Sequence, residues 1–220
     1  MGNLGLNSYL QASPTEPARL YVGDFGHNGT LEQILTFYKH GVSYPLADRD
    51  ELLGLIPRLR ARYATYADFG AARVEDILPA GELAQATRRE ARLFASSVAL
   101  NNGNGTFTLR SLPAEAQLAP IRAALVDDFD GDGRPDLLVG GNLYGVPPVL
   151  GRYDASYGLL LSGVGDGRFS GVDMERSGLL IEGQVRHMGW LRQADGKRLI
   201  VVARNNDKLQ VLRPLRASPL

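Results

Sequence analysis

Nine consecutive residues, DFDGDGRPD at 128–136, constrain this chain more than any other feature of its sequence. Carboxylates stand at positions one, three, five and nine of this stretch, which are Asp128, Asp130, Asp132 and Asp136. Carboxylates this close together repel one another unless a cation lies between them. Calcium is a hard cation that takes mainly carboxylate and carbonyl oxygens, so this spacing predicts a Ca²⁺ site.

The remaining residues of this loop decide which kind of calcium loop it is. Gly133 at position six permits a sharp turn, and the backbone carbonyl of Arg134 is the predicted ligand at position seven. An EF-hand needs a glutamate at position twelve between two helices, whereas position twelve here is Val139, within an apolar β-type run. We therefore expect the loop to join two strands and to close early on Asp136. The alternative is a polar hairpin turn without metal.

A second stretch, DFGHNGTLE at 24–32, fits the same frame with one departure. Position three is Gly26, which removes one carboxylate, so we expect weaker binding here. The predicted ligands are Asp24, Asn28, the carbonyl of Thr30, and Glu32. The alternative is a hydrogen-bonded turn with Asn28 in a left-handed conformation.

Internal repetition indicates the architecture. The segment NGNGTF near Phe107 recurs as VGDGRF near Phe169, and DLLVGGN near Leu137 recurs as RLIVVARN near Leu199, in both cases at an offset of 62 residues. A shared offset and glycine-rich turns between β-type runs predict antiparallel repeat units of the size of propeller blades. In the last unit, LRQADGKRL keeps only two residues of the metal pattern, so we expect a bare hairpin there.

One stretch, residues 47–95, is rich in Ala, Leu, Arg and Glu and has apolar residues at helical spacing. It predicts an insertion of several short helices between strands. The fold class is therefore mainly β: a partial β-propeller of about three antiparallel blades with an α-helical insertion. The predicted divisions are 1–46, a blade segment with the first metal loop; 47–95, the insertion; 96–156, a blade with the DxDxDGxxD loop; and 157–220, a blade without a metal loop.

Composition excludes several functions. Lys plus Arg and Asp plus Glu each number 24, so no basic excess supports a nucleic-acid partner. The absence of cysteine excludes disulfides, thiolate catalysis and cysteine–zinc sites. No apolar run is long enough to predict a membrane span. The three histidines show no metal-ligand or catalytic spacing, so we expect no enzymatic activity.

The segment DFDGDGRPDLLVGGN, preceded by NNGNGTF, resembles the FG-GAP or VCBS repeat of integrin-α-type β-propellers. Residues 18–205 are similar more loosely to the C-terminal part of large bacterial VCBS-repeat proteins of the UnbV and cartilage acidic protein group. The resemblance implies propeller blades, Ca²⁺ held by the loop at 128–136, and an extracellular, periplasmic or outer-membrane location. Three units are too few for a ring, which predicts a fragment of a longer parent chain.

Two functions remain open from the sequence. The first is a non-catalytic calcium-binding segment for adhesion, ligand binding or assembly, partnered by further blades of a parent chain or by a second copy. The second is an accessory propeller part of a polysaccharide-acting hydrolase or lyase. A polar-aromatic cluster after a Pro-Pro turn is a weak candidate surface for carbohydrate or protein and comprises Arg152, Tyr153, Asp154 and Tyr157. The alternative for this cluster is a loop packed between blades.

Overall fold

A computed structural model describes residues 1–214 and shows a mainly β chain with short helices. The strands are β1 Ala18–Gly23, β2 Glu32–Lys39, β3 Val42–Pro45, β4 Thr87–Ala91, β5 Ser97–Asn101, β6 Phe107–Ser111, β7 Ile121–Asp127, β8 Asp136–Gly141, β9 Leu159–Gly165, β10 Arg168–Val172, β11 Val185–Arg192, β12 Arg198–Arg204 and β13 Gln210–Leu212. The α-helices are α1 Arg49–Leu55, α2 Tyr66–Gly70, α3 Val74–Ile77, α4 Ala80–Gln85 and α5 Met174–Ser177. Three 3₁₀ turns lie at Pro57–Ala61, Ala114–Gln117 and Pro148–Leu150.

The chain divides into two compact units, and the first comprises Leu10–Phe94. It contains a four-stranded antiparallel sheet in the order β3-β2-β1-β4 and the helices α1 to α4. Strand residues Tyr21 and Ile34 and helix residues Leu52 and Val74 belong to one buried cluster, so the helices cover the sheet. The helices occupy 49–85 within the predicted stretch 47–95, and β4 follows them and pairs with β1.

Local signals explain why these helices are short. The Asp48 side chain accepts a hydrogen bond from the Glu51 N–H and caps α1. Pro57 cannot donate a backbone hydrogen bond and begins a separate 3₁₀ turn. Thr65 and Asp68 form a reciprocal capping box that begins α2. The longest of these helices has seven residues, and no helix in the described part of the chain is long and apolar enough to cross a membrane.

The second unit comprises Met1–Tyr9 and Ala95–Leu220. It holds a four-stranded antiparallel sheet in the order β10-β9-β8-β7, a three-stranded sheet β11-β12-β13 and a two-stranded sheet β5-β6. One buried cluster joins Leu138 of β8 to Met188 and Val202 of the three-stranded sheet, so the two larger sheets share a core. Residues 215–220, part of the last predicted division, lie outside the described residues.

The 62-residue offset in the sequence reappears in the order of the strands. β9 begins 62 residues after β5, and β12 begins 62 residues after β8. The starts of β10 and β11 follow those of β6 and β7 by 61 and 64 residues. The series β5 to β8 is thus repeated as β9 to β12.

The prediction of a mainly β chain with several antiparallel sheets and short helices is confirmed. Within residues 1–214 the sheets do not close into a propeller ring. The division of the chain into three blades and an insertion stays a prediction.

Candidate metal centre

The loop at 128–136 joins two neighbouring antiparallel strands, β7 and β8. Its turn requires glycine at two positions, because Gly131 and Gly133 have φ values of 84° and 85°, in the left-handed region where other residues are strained. The prediction that this loop lies between strands and not between helices is confirmed.

The buried carboxylate of Asp136 holds the loop in shape through hydrogen bonds. Its side chain is 1% exposed, although a buried carboxylate is costly without hydrogen-bond donors. One oxygen, Oδ2, accepts from the N–H of Phe129 at 2.8 Å and of Asp130 at 3.3 Å. The other, Oδ1, accepts from the N–H of Gly163 in β9 at 2.8 Å. The carboxylate therefore fixes the start of the loop and also links it to the next strand.

Asp128 and Asp130 are exposed and lie close to this buried carboxylate. Asp128 accepts from the N–H of Gly131 at 2.7 Å and of Gly133 at 3.0 Å. Asp130 accepts from the Ser162 hydroxyl at 3.1 Å. One carboxylate oxygen from each of Asp128, Asp130 and Asp136 lies within 4.8 Å of the other two. This group of three carboxylates can hold a metal ion, and its all-oxygen donors suit a hard cation.

Asp132 lies outside that group of three. Its Oδ1 accepts the Arg134 N–H at 2.8 Å, and its Oδ2 forms an ion pair with the Arg134 guanidinium. The backbone N–H of Arg134 lowers the pKa of Asp132 below its ordinary value. The sequence spacing placed Asp132 with the other three carboxylates, whereas the structure pairs it within the loop. Its role as a ligand, and that of the Arg134 carbonyl, stay predictions.

Residues from the following repeat lie beside the loop. The ring of Phe129 stacks on Trp190 of β11, with centroids 5.9 Å apart and an angle of 26° between the planes. The Arg198 guanidinium lies 4.3 Å from the centroid of the Trp190 ring and forms a 2.7 Å ion pair with Asp127. Because these partners are far apart in sequence, spacing alone could not have identified them.

Comparison with known families agrees with this geometry. The model of the FG-GAP-like repeat family matches residues 89–139. The chain contains an FG-GAP-like repeat. The repeat runs from β4 into β8 and includes the whole acidic loop, as the resemblance in the sequence predicted. Neither the curated proteins nor the solved structures compared with the chain gave a match.

The loop at 24–32 shares several internal bonds with the loop of the FG-GAP-like repeat. Glu32, 5% exposed, accepts from the N–H of Phe25 at 2.7 Å and of Gly26 at 3.1 Å, at the same loop positions that Asp136 binds. Asp24 accepts from Asn28 N–H and Gly29 N–H, each at 2.9 Å, and the Asn28 bond is the larger cause of its lowered pKa. The Asn28 side chain accepts from the Thr30 N–H at 2.8 Å.

The structure explains why position three of this first loop is glycine. A Cβ added to Gly26 would lie 3.0 Å from the carbonyl oxygen of Leu55, at the end of α1, and 3.1 Å from Glu32 Oε1. A side chain here would therefore be in tight contact with the end of α1, and one of the two would have to shift by a few tenths of an ångström. Among the described residues, this loop does not gather three acidic groups around one point, in contrast to the FG-GAP-like repeat. Metal binding at 24–32 stays a prediction.

The corresponding turn of the last repeat joins β11 to β12 and holds no comparable carboxylates. Asp195 accepts from the Lys197 N–H at 3.1 Å and pairs with the Lys197 ammonium at 2.8 Å. These bonds are those of an ordinary polar hairpin turn.

The four residues of the weak recognition cluster are used in different ways. Tyr153 is buried, pairs with Leu143 and contacts the Ser8 hydroxyl at 3.0 Å. The Arg152 guanidinium lies 5.1 Å from the centroid of the Tyr144 ring. Asp154 and Tyr157 are exposed. Recognition by this cluster stays a prediction, and the burial of Tyr153 agrees with the alternative of a packed loop.

Proposed function

We propose that this chain is a non-catalytic, calcium-binding segment of a β-propeller, with about three blades, that serves adhesion, ligand binding or assembly outside the cytoplasm. The observation that carries the proposal is the group of three carboxylates, Asp128, Asp130 and Asp136, within an FG-GAP-like repeat. One of them is buried and held by three backbone N–H groups, so the loop keeps its shape before a cation arrives.

The geometry favours calcium over magnesium. Magnesium requires nearly ideal octahedral coordination and retains several waters, whereas calcium accepts irregular sets of oxygen ligands. Two of the three carboxylates are exposed, which leaves room for water or for the predicted carbonyl ligand. Sites of extracellular modules bind calcium with dissociation constants of about 10⁻⁴ to 10⁻³ M, and such sites fill only where calcium is abundant. We propose a site of this class, and with it a location at the cell surface or in the periplasm.

The sheets support the proposed blades and partners. The sheet β7 to β10 is a four-stranded antiparallel meander, and β11 to β13 repeats its first three strands. The two-stranded sheet β5-β6 corresponds to the outer pair β9-β10 by the 62-residue offset. Among the described residues of this unit, no inner pair of strands lies beside it. Unpaired edges recruit further strands, so we propose further blades of a parent chain or a second copy as partners.

Terbium luminescence tests the metal site directly, because terbium replaces calcium and is excited by a nearby tryptophan. Trp190 is the only tryptophan of the chain and stacks on Phe129 inside the loop. We expect tryptophan-sensitised emission that calcium displaces and that magnesium displaces much less effectively. Calorimetric titration with calcium gives the affinity independently.

Two substitutions make this test specific. Asp130→Asn removes one exposed carboxylate of the group, and Asp166→Asn removes a carboxylate that is 86% exposed in the turn between β9 and β10. We expect Asp130→Asn to abolish sensitised emission and calcium heat, and Asp166→Asn to leave both unchanged. Equal calcium heats in wild type and Asp130→Asn would refute the site.

A further inference from the structure

A cleft lies away from the metal loop, where two successive repeats meet. It has a volume of about 560 Å³, and its polar and aromatic lining comprises Tyr144, Gln184, Arg186, Asn205, Asn206 and Asp207. One wall is the segment 143–145 after β8, and the other is the segment 205–207 after β12. These walls are separated by 62 residues and so are equivalent loops of neighbouring repeats.

The first wall is held rigidly. Asn142, almost fully buried and in a left-handed conformation, donates to the carbonyls of Ser156 at 2.8 Å and Gly183 at 2.9 Å, and accepts from the Ser156 N–H at 3.0 Å. Reciprocal backbone bonds join Leu143 to Tyr153. The loop that carries Tyr144 is therefore fixed at both sides.

The second wall is fixed by Arg204. Its guanidinium donates to the carbonyls of Lys208 and Glu182 and forms a 3.1 Å ion pair with Asp207. The N–H of Asn205 donates to the Gln184 carbonyl at 2.8 Å. A cleft with fixed walls binds a ligand without the entropic cost of ordering loops.

Gln184 in this cleft has an unsatisfied donor. Its side chain is 3% exposed, its Oε1 accepts from Arg186 at 3.3 Å, and its Nε2 has no hydrogen-bond partner within the described residues. A buried donor without an acceptor is costly, so an oxygen atom that reaches Gln184 Nε2 from the cleft would be stabilised there.

The charges at the cleft favour an anion. The Asp207 carboxylate is already paired with Arg204, whereas neither Arg186 nor Arg152, which lies over the Tyr144 ring, forms an ion pair within residues 1–214. The Arg186 guanidinium in the lining thus remains for a carboxylate, whose geometry it matches, and Arg152 adds positive charge beside Tyr144.

The geometry points to a binding site for an acidic sugar unit of a polysaccharide, such as a uronate. The amides of Gln184, Asn205 and Asn206 suit ring hydroxyls, the ring of Tyr144 offers an apolar face, and Arg186 binds the carboxylate. The site contains none of the carboxylates of the metal loop, so its occupation does not depend on calcium.

Titration of the full chain with hexa-galacturonate and with hexa-mannuronate, in excess chelator, tests this site. We expect binding of at least one of them, with amide NMR shifts at 143–145 and 184–186. Arg186→Gln should weaken binding about tenfold, the effect of losing one charge-assisted bond. Asn206→Gly, which tolerates the left-handed φ of 56° and removes only an amide, should also weaken it. The matched control is Arg192→Gln, on the exposed end of the same strand, which should bind as wild type does.

Several outcomes would overturn the assignment. These are no binding of either uronate, unchanged affinity in Arg186→Gln, or binding that appears only when calcium is restored, which would place the carboxylate at the metal loop. Equal affinity for cello-hexaose would refute the acidic class, and equal affinity for a hexa-glutamate peptide would refute the sugar. A chain that binds no calcium but retains uronate binding would refute the proposed metal centre and leave this site intact.

Discussion

Replacing Asp136 by asparagine separates the structural role of this carboxylate from its role in holding metal. The side chain accepts three backbone N–H groups with its two oxygens, and it is almost fully buried. An asparagine has one oxygen and an NH₂ group. If the asparagine oxygen keeps the hydrogen bonds from the N–H groups of Phe129 and Asp130, its NH₂ group faces the N–H of Gly163. The Gly163 donor is then unsatisfied.

The size of the effect follows from these bonds. A hydrogen bond to a charged group contributes about 1.5–3 kcal/mol, and an unsatisfied buried donor costs a similar amount that partly overlaps with it. We therefore expect Asp136→Asn to lower the free energy of unfolding by about 3 kcal/mol without any metal. For a chain of this size that is a fall in Tm of about 6–12 °C.

Denaturation in excess chelator and again in calcium measures both roles. In chelator, Asp130→Asn is the control and should change stability by under about 1 kcal/mol, because its carboxylate is exposed. In calcium at about a hundred times the dissociation constant, wild type should gain about 2.7 kcal/mol and neither variant should gain as much. A variant Asp136→Asn as stable as wild type in chelator would refute the structural role.

Two further predictions concern the loop at 24–32. Glu32→Gln should lower the free energy of unfolding by about 1–3 kcal/mol in chelator as well as in calcium, because Glu32 binds the N–H groups of Phe25 and Gly26 from a buried position. Urea denaturation measures this change. A loss of stability seen only in calcium would contradict the expectation. Gly26→Asp restores the missing carboxylate but places a Cβ 3.0 Å from the Leu55 carbonyl, so it should destabilise by about 1–3 kcal/mol and leave calcium heat unchanged. A tighter calcium site at unchanged stability would contradict that expectation.

Local sequence patterns predicted the features that depend on local contacts. The acidic loop lies between β7 and β8 because its glycines and its carboxylates act within nine residues. Asp48 caps α1 through a hydrogen bond to Glu51, only three residues further along the chain. The 62-residue offset was readable because equivalent strands retain similar apolar runs and turns.

Features that depend on contacts distant in sequence were not readable. Gly163 donates to Asp136 from 27 residues away, and Ser162 donates to Asp130 from 32 residues away. The burial of Tyr153 depends on Leu143 and on Ser8. No spacing rule connects such partners, because the sheet and the loops that bring them together form only in the folded chain.

The two acidic loops together show which part of the pattern belongs to the fold. In both, the carboxylate at position nine is buried and binds the N–H groups at positions two and three, through Asp136 in one loop and Glu32 in the other. In both, the N–H at position six binds the carboxylate at position one. The loops differ at position three, which is Asp130 in one loop and Gly26, close to the Leu55 carbonyl, in the other. These shared bonds set the hairpin frame in both loops, and position three decides whether a third carboxylate joins those at positions one and nine.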